Sequence, residues 1–286
     1  MKKSVSLILL LVSVICIQLS IAQTKEAILH QDLEWSKDSP AGFMELQLPS
    51  AGSLLQGFMY KANGSQPHPT LLLLHGYPGN ERNLDLAQAV RANGWNVIYF
   101  NYRGSWGSQG EFSFRHCVED VKNVVAYCKL NAAKLQIDPK NIALFGHSMG
   151  GFVCLKALQE NPDIQKGFAL SAWNIYGNIT GLNAAGLAER EKAADDYFVL
   201  NKKSGKELFA AVVKEADFHN LLNAAQPLAN KQVIMLDEHH RNEALANTIQ
   251  KANHAYFNYE VWDTDHSFTN KRVSLIKKVL TFLDRP

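Results

Sequence analysis

The chain has 286 residues, of which 47% are hydrophobic, 20% charged and 10% aromatic. That mixture excludes a disordered tail, a collagen-like repeat and a coiled coil, and leaves a globular protein with a large core. A net charge of +2, with no basic run, no basic aromatic sheet motif and no Cys/His finger spacing, argues against a nucleic-acid partner.

Met1, Lys2 and Lys3 precede an almost unbroken Leu, Ile and Val run over 5–17, and Ser20, Ile21 and Ala22 supply small residues before Gln23. This pattern predicts a secretory signal peptide over 1–22 and an exported domain, periplasmic or secreted, over 23–286. A retained membrane anchor is the competing reading, since a bilayer span needs roughly 17 to 25 apolar residues. Gln18 and Ser20 weaken the end of the run and no basic stop follows, so no stable membrane insertion is expected after cleavage. Bulky Ile15 likewise disfavours lipidation at Cys16. Loss of Lys2 and Lys3 brings the mature net charge to zero. Cys117, Cys128 and Cys154 remain, an odd number, and if Cys117 and Cys128 share one helix they lie roughly 16 Å apart, too far to bridge.

Residues 43–48 and 54–60 alternate apolar and polar around a turn at 49–52, which predicts an opening β-hairpin. Short continuous apolar runs follow at 70–74 (TLLLL), 96–100 (NVIYF), 141–145 (NIALF), 167–170 (GFAL) and 232–236 (QVIML). Strands apolar on both faces belong inside a parallel sheet covered by helices. Helical patterns fall between or after them, at about 81–92, 115–131, 149–160, 242–252 and 271–283. The expected fold is therefore α/β, a mostly parallel doubly wound sheet with its site at the strand C-termini. Between about 174 and 230 the rhythm breaks into helix-favouring sequence, read as an inserted helical cap over the strand ends.

The segment NIALFGHSMGG (141–151) runs a buried strand through G-x-S-x-G into a helix. Gly146 and Gly150 are needed there because the turn is tight enough to raise Ser148 on a strained pedestal. Ser148 is the candidate nucleophile, with the Met149 N–H beneath any oxyanion formed. Its expected base is His266, on the loop DTDHSF (263–268) after a further strand at 258–262. The orienting acid should follow the strand at 232–236, where Asp237 and Glu238 stand side by side and only one can face the site; Asp237 is preferred and Glu238 is the alternative. Asp263 and Asp265 are read as loop-structuring acids. His239 and His240 lack the i, i+4 spacing of a helical zinc site, and no metal or cofactor is expected. In HGYPGN (75–80) Pro78 has no N–H, which makes the Tyr77 backbone N–H the second oxyanion donor, while His75 is read as ordering the loop.

With HGYPGN, NYRGSWGSQGEFSF (101–114), GHSMGG (146–151) and DTDHSF, the chain resembles the α/β-hydrolase superfamily. Within it, the likeness is to bacterial hydrolases related to serine aminopeptidases and to the catalytic domain of prolyl-oligopeptidase-like enzymes. The resemblance implies an α/β-hydrolase fold and a serine hydrolase acting on a small-molecule ester or peptide through an acyl-enzyme. The abbreviated LDEHHR (236–241) departs from the longer strand-end segment of such sequences at the acid. A binding protein that keeps the fold without catalysis is the reading from another class.

Overall fold

The computed structural model describes residues 32–284; the leader expected over 1–22 lies outside the described residues. The chain opens as the hairpin of β1 (Gly42–Ser50) and β2 (Ser53–Lys61). Its turn is only Ala51-Gly52, at φ 46° and 79°, the mirror-image turn whose twist matches that of the paired strands. Pro49 and Ser50, expected in the turn, instead pair with Leu54 and Ser53. Pro49 is tolerated because β1 lies at the sheet edge, where an N–H can be missing.

The remaining strands are β3 (His68–Leu74), β4 (Asn96–Phe100), β5 (Ile137–His147), β6 (Lys166–Leu170), β7 (Gln232–Asp237) and β8 (Phe257–Val261). They form one eight-stranded sheet in the order β1-β2-β4-β3-β5-β6-β7-β8. Pairings from β4 onward are parallel, and those of β1 with β2 and β2 with β4 are antiparallel. This is the α/β-hydrolase fold. Helix α1 (Leu84–Ala92) follows β3, α2 (Phe114–Leu130) and the short α3 (Ala132–Leu135) follow β4, and α4 (Met149–Glu160) follows β5. Helix α1 starts later than the periodicity suggests because Asn83 is left-handed at φ 53°, a conformation that Asn tolerates and a helix cannot continue through.

Between β6 and β7 the chain is helical: α5 (Ile175–Thr180), α6 (Ala184–Asp195), α7 (Gly205–Lys214), α8 (Ala216–His219) and a 3₁₀ turn, Leu221–Ala224. Helix α9 (Glu243–Ala252) joins β7 to β8, and α10 (Arg272–Leu283) closes the fold. The core has two layers, one on each sheet face. Leu72 and Leu74 of β3 pack with α2, α4 and α9, whereas Leu71 and Leu73 pack with α1 and α10, as the two-residue repeat of a strand dictates. Cys117 and Cys128 share α2, and with Cys154 they are buried and unbridged. Among the described residues no helix is long and apolar enough to cross a membrane.

The 101–114 loop fastens the helical insert to the body. Phe112 N–H donates to Asn201 O at 2.7 Å, Asn201 N–H to Gly104 O at 2.7 Å, and Trp106 N–H to Val199 O at 2.9 Å. Gly104 is required, since a Cβ there would stand 2.3 Å from Phe112 N. Underneath, Arg103 donates to the fully buried Asp120 from its backbone N–H (2.8 Å) and its Nε (2.6 Å), while Ser50 Oγ donates to the same carboxylate. Arg103 also pairs with the partly exposed Glu119 at 2.7 Å, so removing the Asp120 charge takes away the buried half of its compensation. Asp120→Asn is therefore expected to lower the unfolding free energy by about 1 to 3 kcal/mol, read as a reduced urea midpoint at unchanged slope.

Candidate active site

Ser148 occupies the turn from β5 into α4 at φ 59°, ψ −119°, a conformation side chains rarely adopt and one that must be held from outside. The glycines permit it. A Cβ on Gly146 would lie 1.9 Å from Gly150 O, and one on Gly150 would lie 2.1 Å from Leu74 O. Ser148 N–H donates to Leu170 O at 2.8 Å, and Ser148 O accepts from Gly151, Phe152 and Trp173 N–H at 2.9, 3.3 and 2.9 Å. Both the end of β6 and the start of α4 thus grip one residue. Met149 heads α4, where the first N–H groups have no acceptor four residues back. The loop after β3 packs over the turn, since a Cβ on Gly76 would meet Ser148 Cβ at 3.2 Å. Tyr77 lines the same cavity as Ser148, its ring boxed by Phe112, Phe114, Trp173 and Tyr197.

His75 sits beneath this loop and is buried. Its Nδ1–H donates to Gly76 O at 2.8 Å and its ring lies 4.4 Å from that of Tyr102. Burial pulls its pKa down to about 4. A ring so enclosed orders the loop and does not face the cavity.

His266 lies on the loop after β8, anchored by the buried Phe268 and by Asp265, whose carboxylate accepts from Thr269 N–H at 2.7 Å. Its Nδ1–H donates to Glu238 Oε1 at 2.7 Å. The other Glu238 oxygen accepts from the Ser171 hydroxyl. Burial alone would raise the Glu238 pKa, but the hydrogen bonds from His266 and Ser171 outweigh it and hold the carboxyl at about 2.

The carboxylate against His266 is thus Glu238 and not Asp237, which corrects the preferred reading of the sequence. Strand β7 extends one residue past the apolar run, and Asp237 still pairs in register with Val261. Its side chain consequently turns toward the α9 layer, where it is fully buried and accepts from Asn242 Nδ2 at 3.1 Å. Burial, opposed by that hydrogen bond, pushes its pKa up to about 7. Asn242 also donates to Ala172 O at 2.8 Å, so Asp237 braces the chain leaving β6. Glu238, the first residue beyond the strand, turns to the site. His239 and His240 flank it without forming a metal cluster: no group of three potential ligands stands among the described residues.

Sequence reasoning missed His147, which lies within GHSMGG beside the serine. Its Nε2–H donates to His266 O at 2.8 Å and the two rings stand 4.8 Å apart. Burial, reinforced by the charge of His266, lowers its pKa to about 4. Ser171 was also missed, although the strand-end logic applied to β7 would have found it at the end of β6. Ser148, His266, Glu238 and Ser171 share a cavity of about 520 Å³ with Tyr77, Trp173 and Tyr197. Of the apolar residues of the insert, Tyr197 lines it. Phe198 points to solvent, while Leu208 and Phe209 are buried in the core; Leu208 also borders a separate cavity of about 460 Å³ against α2.

This fold and elbow define an α/β-hydrolase of the serine hydrolase class. The family model for serine aminopeptidase, S33, matches residues 65–233, more than half the chain, and the chain belongs to that family. Lysophosphatidylserine lipase ABHD12 of Danio rerio is 30% identical over 94 residues, 32% of this chain and 23% of that protein. The probable dipeptidyl-aminopeptidase B of Paracoccidioides lutzii is 27% identical over 139 residues, 41% of this chain and 14% of that protein. The chain thus spans less than a quarter of the length of either. Among solved structures, the Pyrococcus furiosus esterase Pf2001 superposes with a TM-score of 0.63 at 22% identity, covering 89% of this chain and 98% of its own. The thermostable carboxylesterase EstE1 from a metagenomic library gives 0.61 at 17% identity, covering 93% and 95%. At such identities the likeness is one of fold.

The buried rings couple stability to pH. His75 and His147 drop from 6.5 to about 4 on folding, so between those values the unfolded chain binds more protons. Their contribution is complete above pH 6.5 and is lost as pH falls toward 4. Asp237, raised from 3.8 to about 7, acts in the opposite sense over the same interval, but it is one group against two. Calorimetry is expected to show the melting temperature falling by on the order of 10 °C between pH 7 and pH 4. His147→Asn should flatten that slope and Asp237→Asn should steepen it.

Proposed function

We propose that this protein is an exported serine hydrolase that cleaves ester or peptide bonds through an acyl-enzyme, with Ser148, His266 and Glu238 as its triad. The observation that supports this most is the His266–Glu238 hydrogen bond, formed in the cavity into which the elbow raises Ser148. Because Nδ1 is engaged by Glu238, Nε2 is the nitrogen left to act as base. Ser148 Oγ attacks the substrate carbonyl carbon as Nε2 takes its proton, and the ionised Glu238 stabilises the imidazolium. The backbone N–H groups of Tyr77 and Met149 receive the oxyanion. Collapse of the tetrahedral intermediate breaks the bond to the leaving group, which carries away the proton from Nε2. Water then repeats the sequence and releases the acid.

Export rests on the charged, apolar and small-residue segments of 1–22. The mature chain recovered outside the cytoplasm should begin at Gln23 by N-terminal sequencing; a product that keeps Met1 and sediments with membranes would instead indicate an anchor.

A fluorophosphonate probe should form its adduct on Ser148, and Ser148→Ala should lower kcat on activated esters by about 10⁴-fold or more. Glu238→Gln should cost about 10³- to 10⁴-fold, since it removes the carboxylate that fixes the His266 tautomer. Asp237→Asn should stay within about tenfold, because the side chain is turned away from His266 and bonded to Asn242, a contact the amide can keep. The reverse ranking would return the triad acid to Asp237.

A further inference from the structure

The cavity over Ser148 carries an uneven charge. Arg190 of α6 and Arg241, in the turn after β7, both line it, together with Asn174, Asn178 and His239. The one carboxylate among its described lining residues, Glu238, is already committed to His266 and Ser171. Neither arginine has a carboxylate within ion-pair distance among the described residues. Arg190 rests with its guanidinium carbon 5.9 Å from the centre of the Trp173 ring, which leaves its N–H fork unused by protein acids. Asp195, on the same helix, is held by Lys202 at 3.4 Å and by Gly205 N–H at 2.6 Å.

A second observation points the same way. The Tyr77 hydroxyl is buried and has no hydrogen-bond partner among the described residues, a costly state for a donor unless something else accepts from it. Burial and the neighbouring Tyr197 raise its pKa, and Arg190 is near enough to oppose them. An acceptor-rich group in the cavity would meet Arg190 directly, and would reach the Tyr77 hydroxyl only if the enclosing rings part. A free amino terminus, by contrast, would meet two cations and no uncommitted acid.

We propose that the pocket selects substrates that carry an oxyanion, a carboxylate or a phosphate, in the part seated against the helical insert, with Arg190 and Arg241 as the residues that read it. This rests on Ser148 being the nucleophile of the same cavity. Guanidinium binds such groups through paired, charge-assisted hydrogen bonds, and a hydrogen bond to a charged group corresponds to about 10- to 100-fold in affinity. Partial exposure places each arginine at the lower end of that range and makes the preference sensitive to salt.

The test compares p-nitrophenyl valerate with mono-p-nitrophenyl glutarate, esters of equal acyl length that differ in a terminal carboxylate. The wild-type kcat/KM should favour the glutarate by about tenfold or more, and the advantage should shrink as NaCl rises from about 50 to about 500 mM. Arg190→Gln and Arg241→Gln should each reduce the glutarate-to-valerate ratio by about tenfold, with Arg190→Lys recovering part of it. Free glutarate and glycerol phosphate, as competitors of valerate hydrolysis, identify whether carboxylate or phosphate is preferred. Brisk valerate turnover with an equal or lower rate on glutarate would overturn the anion assignment and leave the serine hydrolase standing. If neither ester turns over and the phosphonate fails to label Ser148, the hydrolase reading falls. Quenching of tryptophan fluorescence by glutarate, present in the wild type and lost in Arg190→Gln, would then still support the anion site, and its absence would remove that too.

Discussion

The structure is organised around a backbone approach that only glycine permits. At the exit of β5, Gly146 and Gly150 leave no space for a methyl group, and the chain reverses from strand to helix within one residue. The strain this places on Ser148, of order 1 to 3 kcal/mol for such a conformation, is offset by hydrogen bonds that enter from β6 and its following segment. Those bonds tie the serine to Leu170 and Trp173, so the same contacts that hold the elbow also aim the wall of the cavity. Loop, insert and sheet meet at a single residue because nothing else could keep it in place.

Around that point, environment gives two adjacent carboxyl groups opposite characters. Glu238 receives two donors and remains ionised far below neutrality, while Asp237, one residue earlier, is enclosed by the α9 layer and holds its proton to about pH 7. The first serves as a fixed negative charge for an imidazole. The second acts as a hydrogen-bonding brace that costs little charge burial when protonated. His147 completes the arrangement from beneath, neutral and donating to the carbonyl of the residue that Glu238 grips from the side.

Strand positions were legible because a fully covered parallel strand has no polar face to hide it, and QVIML or TLLLL admits little else. The serine and histidine were legible as well, since the elbow glycines and the loop after the last strand leave local marks. The carboxylate that meets His266 was not, because it turned on whether β7 stopped at Leu236 or Asp237, and alternation across a strand converts a one-residue difference into the opposite face. Residues of the insert were the least readable. The sequence of α6 shows that it is a helix but not which side meets the body, so Arg190 carried no signal, and nothing in the sequence marks the apolar Phe198 as a residue that lies in solvent.

The bond from His147 to the carbonyl of His266 joins residues 119 positions apart in the chain. Closing a loop of that length is entropically slow compared with forming the hairpin or any helix. The site is therefore assembled late in folding. A growing chain that has completed β5 and α4 holds Ser148 without His266, and the two share a cavity only once β7 and β8 have joined the edge of the sheet. Synthesis from the N-terminus therefore sets an order: the serine elbow is built before the histidine that comes to share its cavity.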